Sequence, residues 1–143
     1  MAKIKLILCD IDDTLVHKEL HLNEKVIRII REVQQEGFFF TLATGRMPYR
    51  AQNFAEEAGL TTPYIANNGS ILYDQGKYVY AKKVYAGQFK DLFRRYMEAN
   101  SGFTVIFSYD DRERPLVTTE WIAAREHKYK GYNEPLGNTD DVW

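Results

Sequence analysis

Cysteine occurs only once, at Cys9, so no internal disulfide can form and a disulfide-stapled secreted scaffold is excluded. Long apolar runs are absent as well: nothing approaches the roughly 20 residues of a membrane helix. The N-terminal MAKIKLILCDID has a short apolar run, but Asp10 and Asp12 follow at once. A secretory signal would stay apolar for longer and end in small residues, so the reading is a cytoplasmic protein with no membrane partner. No sign of charge dominates. Nineteen Lys and Arg face 20 Asp and Glu, a formal net charge of −1, which gives no electrostatic reason to expect nucleic acid. There are no repeats and no low-complexity tracts. What remains is an ordinary globular composition, 45% hydrophobic and 27% charged, over 143 residues. That length is enough for about one domain at ~100–200 residues per domain, with a core that needs no staples.

The first half of the chain alternates strand and helix. Lys3 to Ile11 is a β-favouring run with apolar side chains on both faces, as in a buried strand of a parallel sheet. Asn23 can cap a helix that runs to about Glu36 and stops at Gly37, with Val26, Ile27, Ile30 and Val33 on one side. Phe38 to Ala43 reads as a second strand. A helix from Pro48 to near Gly59 and a third strand, Tyr64 to Ala66, follow. This order predicts an α/β fold with a parallel sheet. The rhythm then changes. Two β-like runs flank Asp74-Gln75-Gly76-Lys77, a hairpin signal. An amphipathic helix is expected over Gln88 to Ala99, then strands Phe103–Tyr109 and Leu116–Thr119 around a charged turn, Asp110 to Arg114. A last helix starts at Trp121 and runs to about Tyr129. A boundary near Lys82–Val84 divides the chain into 1–83 and 84–143.

Three segments carry chemistry. In LCDIDDTLV, a hydrophobic strand ends and at once presents Asp10 and Asp12. Carboxylates are costly inside such a strand. At its carboxyl end they face the crevice where open α/β sheets bind ligands. In TLATGR, the hydroxyl of Thr44, the backbone at Gly45 and a nearby helix N-terminus suit an anion such as phosphate. In PYIANNGSILYD, Asn68-Gly69 follows the third strand. Thr-Gly and Asn-Gly turns are common, and position is what raises these two: all three segments lie at the carboxyl ends of successive strands. His17, His21 and His127 have no ligand spacing and read as surface residues. Tyr78, Tyr80, Tyr85, Tyr109, Tyr129 and Tyr132 could line a substrate surface, but read better as packing residues of strand faces and helix stripes.

Together these segments resemble the haloacid dehalogenase-like (HAD) superfamily, and within it the Cof-type sugar-phosphate phosphatases. The family's first motif, DxDGT, appears as Asp10-Ile11-Asp12-Asp13-Thr14, with Asp13 where those relatives usually have glycine. Thr44 within ATGR matches the second motif, and NNGS resembles the element after the third strand. The resemblance implies the N-terminal half of a Rossmann-like, three-layer core over 1–83, followed by the first part of an α+β cap domain over 84–143. It implies phosphoric monoester hydrolysis through an aspartyl-phosphate on Asp10, with Asp12 as general acid and then base. Mg²⁺ would be held by the Asp10 carboxylate and the Asp12 backbone carbonyl. Thr44 and Gly45 would hold phosphate oxygens, with Arg46 and Asn68 as further phosphate or substrate contacts. The implied substrate is a small phosphorylated metabolite of the sugar-phosphate class.

The same resemblance requires a later lysine and an acidic GDxxxD-type motif on a fourth core strand. A compact reading would place these at Lys83 or Lys90 and at Asp110 and Asp111. The order of the elements favours the start of an inserted cap instead, in which those two acids are turn residues. Gly137 to Asp141 echoes the acidic motif, but no apolar strand precedes it. The expectation is therefore a truncated chain, weakly active or inactive alone. Its first strand would keep an unpaired edge, covered by a symmetric partner or by a chain carrying the missing half. The competing expectation is a non-catalytic or degenerate protein that keeps only the fold.

Overall fold

A computed structural model describes residues 5–17, 19–108, 112–129, 134–137 and 143. It divides into two compact units, Met1–Lys83 and Val84–Trp143.

In the first unit, β1 (Leu6–Cys9) and β2 (Phe39–Leu42) pair in parallel, with Leu6 opposite Phe39 and Cys9 opposite Leu42. Helix α1 (Glu24–Gln35) connects them. It begins as expected: Asn23 has extended backbone and its side chain accepts the Val26 amide at 3.0 Å, a cap worth about 1 kcal/mol. Helix α2 (Pro48–Glu57) opens on a proline, whose fixed φ suits a first helical residue. It leads to β3 (Tyr64–Ala66), which joins β2 through a parallel bridge between Ala43 and Ile65. Two threonines stitch the same seam: Thr41 Oγ1 donates to the Pro63 carbonyl (2.6 Å) and Thr62 Oγ1 to that of Phe40 (3.1 Å). Strands β4 (Ile71–Asp74) and β5 (Lys77–Ala81) continue from β3 as antiparallel neighbours. Gln75 and Gly76 turn the hairpin with φ of 43° and 84°. That left-handed pair is the turn whose twist matches a two-residue hairpin. The fold is thus mixed α/β around a parallel sheet.

The strand alternation decides which residues form the core. Ile7 and Cys9 of β1 and Phe40 and Leu42 of β2 pack in one cluster with Ile30 of α1 and Phe54 of α2. Leu6, Leu8 and Phe39 point to the other face and stay exposed. Among the described residues of this unit, the core cluster covers one face of β1 and β2.

In the second unit, a short 3₁₀ turn (Ala86–Phe89) precedes α3 (Lys90–Ala99), where one continuous helix from Gln88 was expected. The turn takes the residues around Gly87, a weak helix former, out of the α-helix. Strands β6 (Ile106–Ser108) and β7 (Glu113–Pro115) form an antiparallel pair, Ile106 opposite Pro115 and Ser108 opposite Glu113. The second strand was expected at Leu116–Thr119 and lies earlier. Thr119 is engaged elsewhere: its hydroxyl accepts the Ile122 amide at the start of α4 (Glu120–Tyr129), so it caps a helix. Leu116 and Ile122 are buried at the centre of this unit. Among the described residues, no helix is long and apolar enough to cross a membrane.

Candidate active site

All three chemistry-bearing segments lie at the carboxyl ends of the parallel strands, and backbone hydrogen bonds tie them together. Asp10 follows Cys9, whose carbonyl accepts the Ala43 amide at 2.9 Å, so it stands one register step from Thr44. The Thr44 amide donates to Ile65 of β3 (3.0 Å). The third segment then folds back: the Asn67 amide donates to the Arg46 carbonyl (2.8 Å) and the Asn68 amide to that of Thr44 (3.2 Å). The structure thus brings Asp10, Thr44, Gly45, Arg46 and Asn68 to one end of one sheet.

The loop after β1 is tightly wound. The amides of Thr14, Leu15 and Val16 all point at the Ile11 carbonyl, and the Asp13 amide donates to Val16 at 2.7 Å. This turn needs a left-handed residue at 13. Asp13 supplies it with φ of 57°, a conformation that Asp tolerates better than most residues and that glycine adopts freely. The Asp13 carboxylate lies 2.6 Å from Nδ1 of His17, and both side chains are exposed.

Asp10 is exposed, and its Oδ1 accepts the Ile11 amide at 2.7 Å. Thr44 is buried; its Oγ1 accepts the Arg46 amide (3.1 Å), which leaves the hydroxyl proton free to donate. Gly45 packs closely on Asn68: a Cβ there would sit 3.0 Å from its Oδ1 and press that side chain aside. Asn67 and Asn68 are both left-handed, with φ of 47° and 54°, conformations held by the backbone bonds to the Thr44–Arg46 turn. Strain of this kind is often kept at functional sites.

The strongest contact in the crevice joins the first two segments. Arg46 Nη2 donates to Oδ1 of Asp12 at 2.7 Å and its Nε to Oδ2 at 2.9 Å, a two-pronged fork. The guanidinium lies over the buried ring of Phe54, 4.6 Å from its centroid. The Arg46 hydrogen bonds hold the Asp12 carboxyl below the usual carboxylate range, against an opposing effect of partial burial. The Phe54 brace was not evident in the sequence. Its only signal is an aromatic two turns into the helix that follows the Thr-Gly-Arg turn.

A magnesium ion needs hard oxygen donors and commonly takes one or two carboxylates, with substrate and water oxygens completing its shell. Asp10, an exposed carboxylate at the strand end, fits that requirement, whereas the Asp12 carboxylate is taken up by Arg46. Among the described residues no group of three or more His, Cys, Asp or Glu converges into a fuller metal site. Asp110, Asp111 and most of the Gly137–Asp141 stretch lie outside the described residues.

Fold and crevice define a class: an α/β protein whose parallel sheet presents two aspartates directly after its first strand. The haloacid dehalogenase-like hydrolase family matches residues 7–137, and the chain belongs to that family. It is 34% identical over 71 residues to a 5-amino-6-(5-phospho-D-ribitylamino)uracil phosphatase of Bacillus subtilis, a match covering 50% of this chain and 28% of that one. A second phosphatase of that name from the same organism is 24% identical over 140 residues, covering 98% of this chain and 48% of the relative. Among solved structures, a phosphatase of the same superfamily from Bacteroides thetaiotaomicron superposes with a TM-score of 0.74 at 18% identity, covering 97% of this chain and 51% of that one. The chain spans about half the length of such relatives, or less.

Proposed function

We propose that the chain carries the nucleophile and the phosphate cradle of a magnesium-dependent phosphoric monoester hydrolase. In this reading residues 1–83 are the N-terminal half of the catalytic core, and residues 84–143 are part of a cap. The observation that carries it is the convergence of Asp10, Asp12 and the Thr44–Gly45 turn at one sheet end, stitched by the Ala43, Asn67 and Asn68 amides. Asp10 attacks phosphorus, and the bond from phosphorus to the leaving oxygen breaks. The electron pair goes to that oxygen, which takes a proton from Asp12. Water then attacks the aspartyl-phosphate, Asp12 accepts its proton, and phosphate leaves with Asp10 restored. The Thr44 hydroxyl and the Gly45 amide hold phosphate oxygens, and Asn68 stands beside them. When bound, magnesium would neutralise charge between Asp10 and the phosphate, held by that carboxylate and the Asp12 carbonyl. The hydrogen bonds of the Arg46 fork lower the pKa of the Asp12 carboxyl, against an opposing effect of partial burial. Each Asp12 oxygen accepts one hydrogen bond from Arg46, which leaves a second lone pair on each for proton exchange.

The names of the Bacillus relatives, phosphatases of a phosphorylated ribityl compound, support a substrate of the sugar-phosphate class. The half-length match and the bare face of β1 support a truncated chain. In that reading another chain or a second copy covers the unpaired edge of β1, and activity alone is weak. Losing one preorganised electrostatic contact typically costs about 10²–10³ in rate. The test is to incubate the chain with p-nitrophenyl phosphate and Mg²⁺ and to trap acyl-phosphate with borohydride for mass spectrometry. Label at Asp10, lost in Asp10→Asn, is expected, with little sustained turnover. Absence of label would favour a non-catalytic protein that keeps the fold. Robust turnover that needs Asp10 would refute the truncation.

A further inference from the structure

The Arg46 fork has more structure than a phosphate ligand needs. Both Asp12 oxygens are engaged, by Nη2 and Nε at 2.7 and 2.9 Å. The guanidinium face rests on Phe54, which is buried, and Nη1 points at the Arg50 carbonyl at 3.5 Å. The Arg46 backbone is fixed too: its amide donates to Thr44 Oγ1 and its carbonyl accepts the Asn67 amide. A side chain meant to meet an incoming anion keeps its donors open. Here one edge of the planar fork is committed to the Asp12 carboxylate and its face to the Phe54 ring.

We propose that Arg46 is a positioning residue: braced on Phe54, it fixes the Asp12 carboxylate in the crevice, and it acts on the substrate through Asp12 rather than as a direct ligand of phosphate. The proposal rests on the phosphatase reading for the role of Asp12, but the fork itself does not. A bidentate pair sets both the distance and the plane of the carboxylate, which a point charge cannot do. Arg46 thereby also ties the loop after β1 to the turn after β2. Those two loops carry the nucleophile and the cradle.

Two measurements on the full chain test this. The first follows the Arg46 Nε–H resonance in ¹H–¹⁵N spectra. A proton donated to Asp12 is expected to be visible and protected in the wild type, and to shift and lose protection in Asp12→Asn. A resonance indifferent to Asp12→Asn would overturn the fork. The second is the affinity for inorganic phosphate in Arg46→Gln and Arg46→Lys. A positioning residue predicts weakening of under about threefold in both variants, with the Asp12 carboxyl ¹³C shift displaced in both, because lysine keeps the charge but loses the fork. Weakening of about tenfold or more in Arg46→Gln, the size of a lost charge-assisted hydrogen bond, with rescue by lysine would make Arg46 a direct ligand and overturn the proposal. If the wild type binds no phosphate, the phosphatase reading fails, and the Nε–H signal alone decides the fork.

Discussion

The two faces of the parallel sheet are built from the same kinds of residue and end up differently. On one face Ile7, Cys9, Phe40 and Leu42 lie in a continuous core with both helices, and Leu42 is fully buried. Burial there pushes the Cys9 thiol above its ordinary pKa, with help from the neighbouring Asp10. On the other face, one residue out of phase, Leu6, Leu8 and Phe39 keep 47%, 49% and 54% of their surface exposed. Strands apolar on both faces belong to sheets covered on both sides. The sequence of β1 is thus written for two neighbours, and the described residues provide one.

This contrast can be broken by paired substitutions. Leu42→Ala is expected to cost about 2–5 kcal/mol in urea unfolding, the range for a large-to-small change in a closed core. Leu8→Ala, the same change on the bare face, should cost less than about 1 kcal/mol. Equal costs would mean that the second face is covered in solution.

A smaller effect sharpens the covered side. Glu57 at the end of α2 holds the β1–α1 loop: its Oε2 accepts the Leu22 amide at 2.7 Å and its Oε1 pairs with Nδ1 of His21. Desolvation pushes the Glu57 carboxyl up, but these hydrogen bonds outweigh it and hold the group below its usual 4.5. A lowered folded-state value means that the unfolded chain binds more protons in the acid range. The stabilisation is therefore full above the ordinary value and is lost as pH falls through the folded one. Going from about pH 7 to about pH 3 should thus cost the wild type more stability than Glu57→Gln, as read by parallel urea titrations. Identical acid slopes would remove Glu57 from this role.

Much of the fold was legible because local signals agreed. The Asn23 cap, the proline at the head of α2, and Gln75-Gly76 between two β runs each have a single reading in backbone terms. The second unit was less legible. Glu113 and Arg114 look like turn residues, yet they pair with Ser108 and Phe107, because register across a short hairpin outweighs polarity. Thr119 looks like a strand end and is a helix cap. At the candidate site, Asp10, Thr44 and Asn68 could be placed from strand order alone. The fork between Asp12 and Arg46 could not, since nothing in one-dimensional spacing brings positions 34 residues apart into a bidentate pair over an aromatic ring. Of the tyrosines expected to pack, Tyr78 does, its ring 5.1 Å from that of Tyr73, while Tyr80 and Tyr85 stay exposed and Tyr109 and Tyr132 lie outside the described residues.

The proposed role of Asp10 is to accept a phosphoryl group in front of a phosphate cradle. Beryllofluoride, which mimics a phosphoryl group on a carboxylate, tests it without requiring turnover. In ¹⁹F spectra with Mg²⁺ a bound resonance is expected in the wild type that disappears in Asp10→Asn and weakens in Thr44→Val. No bound resonance at any concentration, or one that persists in Asp10→Asn, would contradict it.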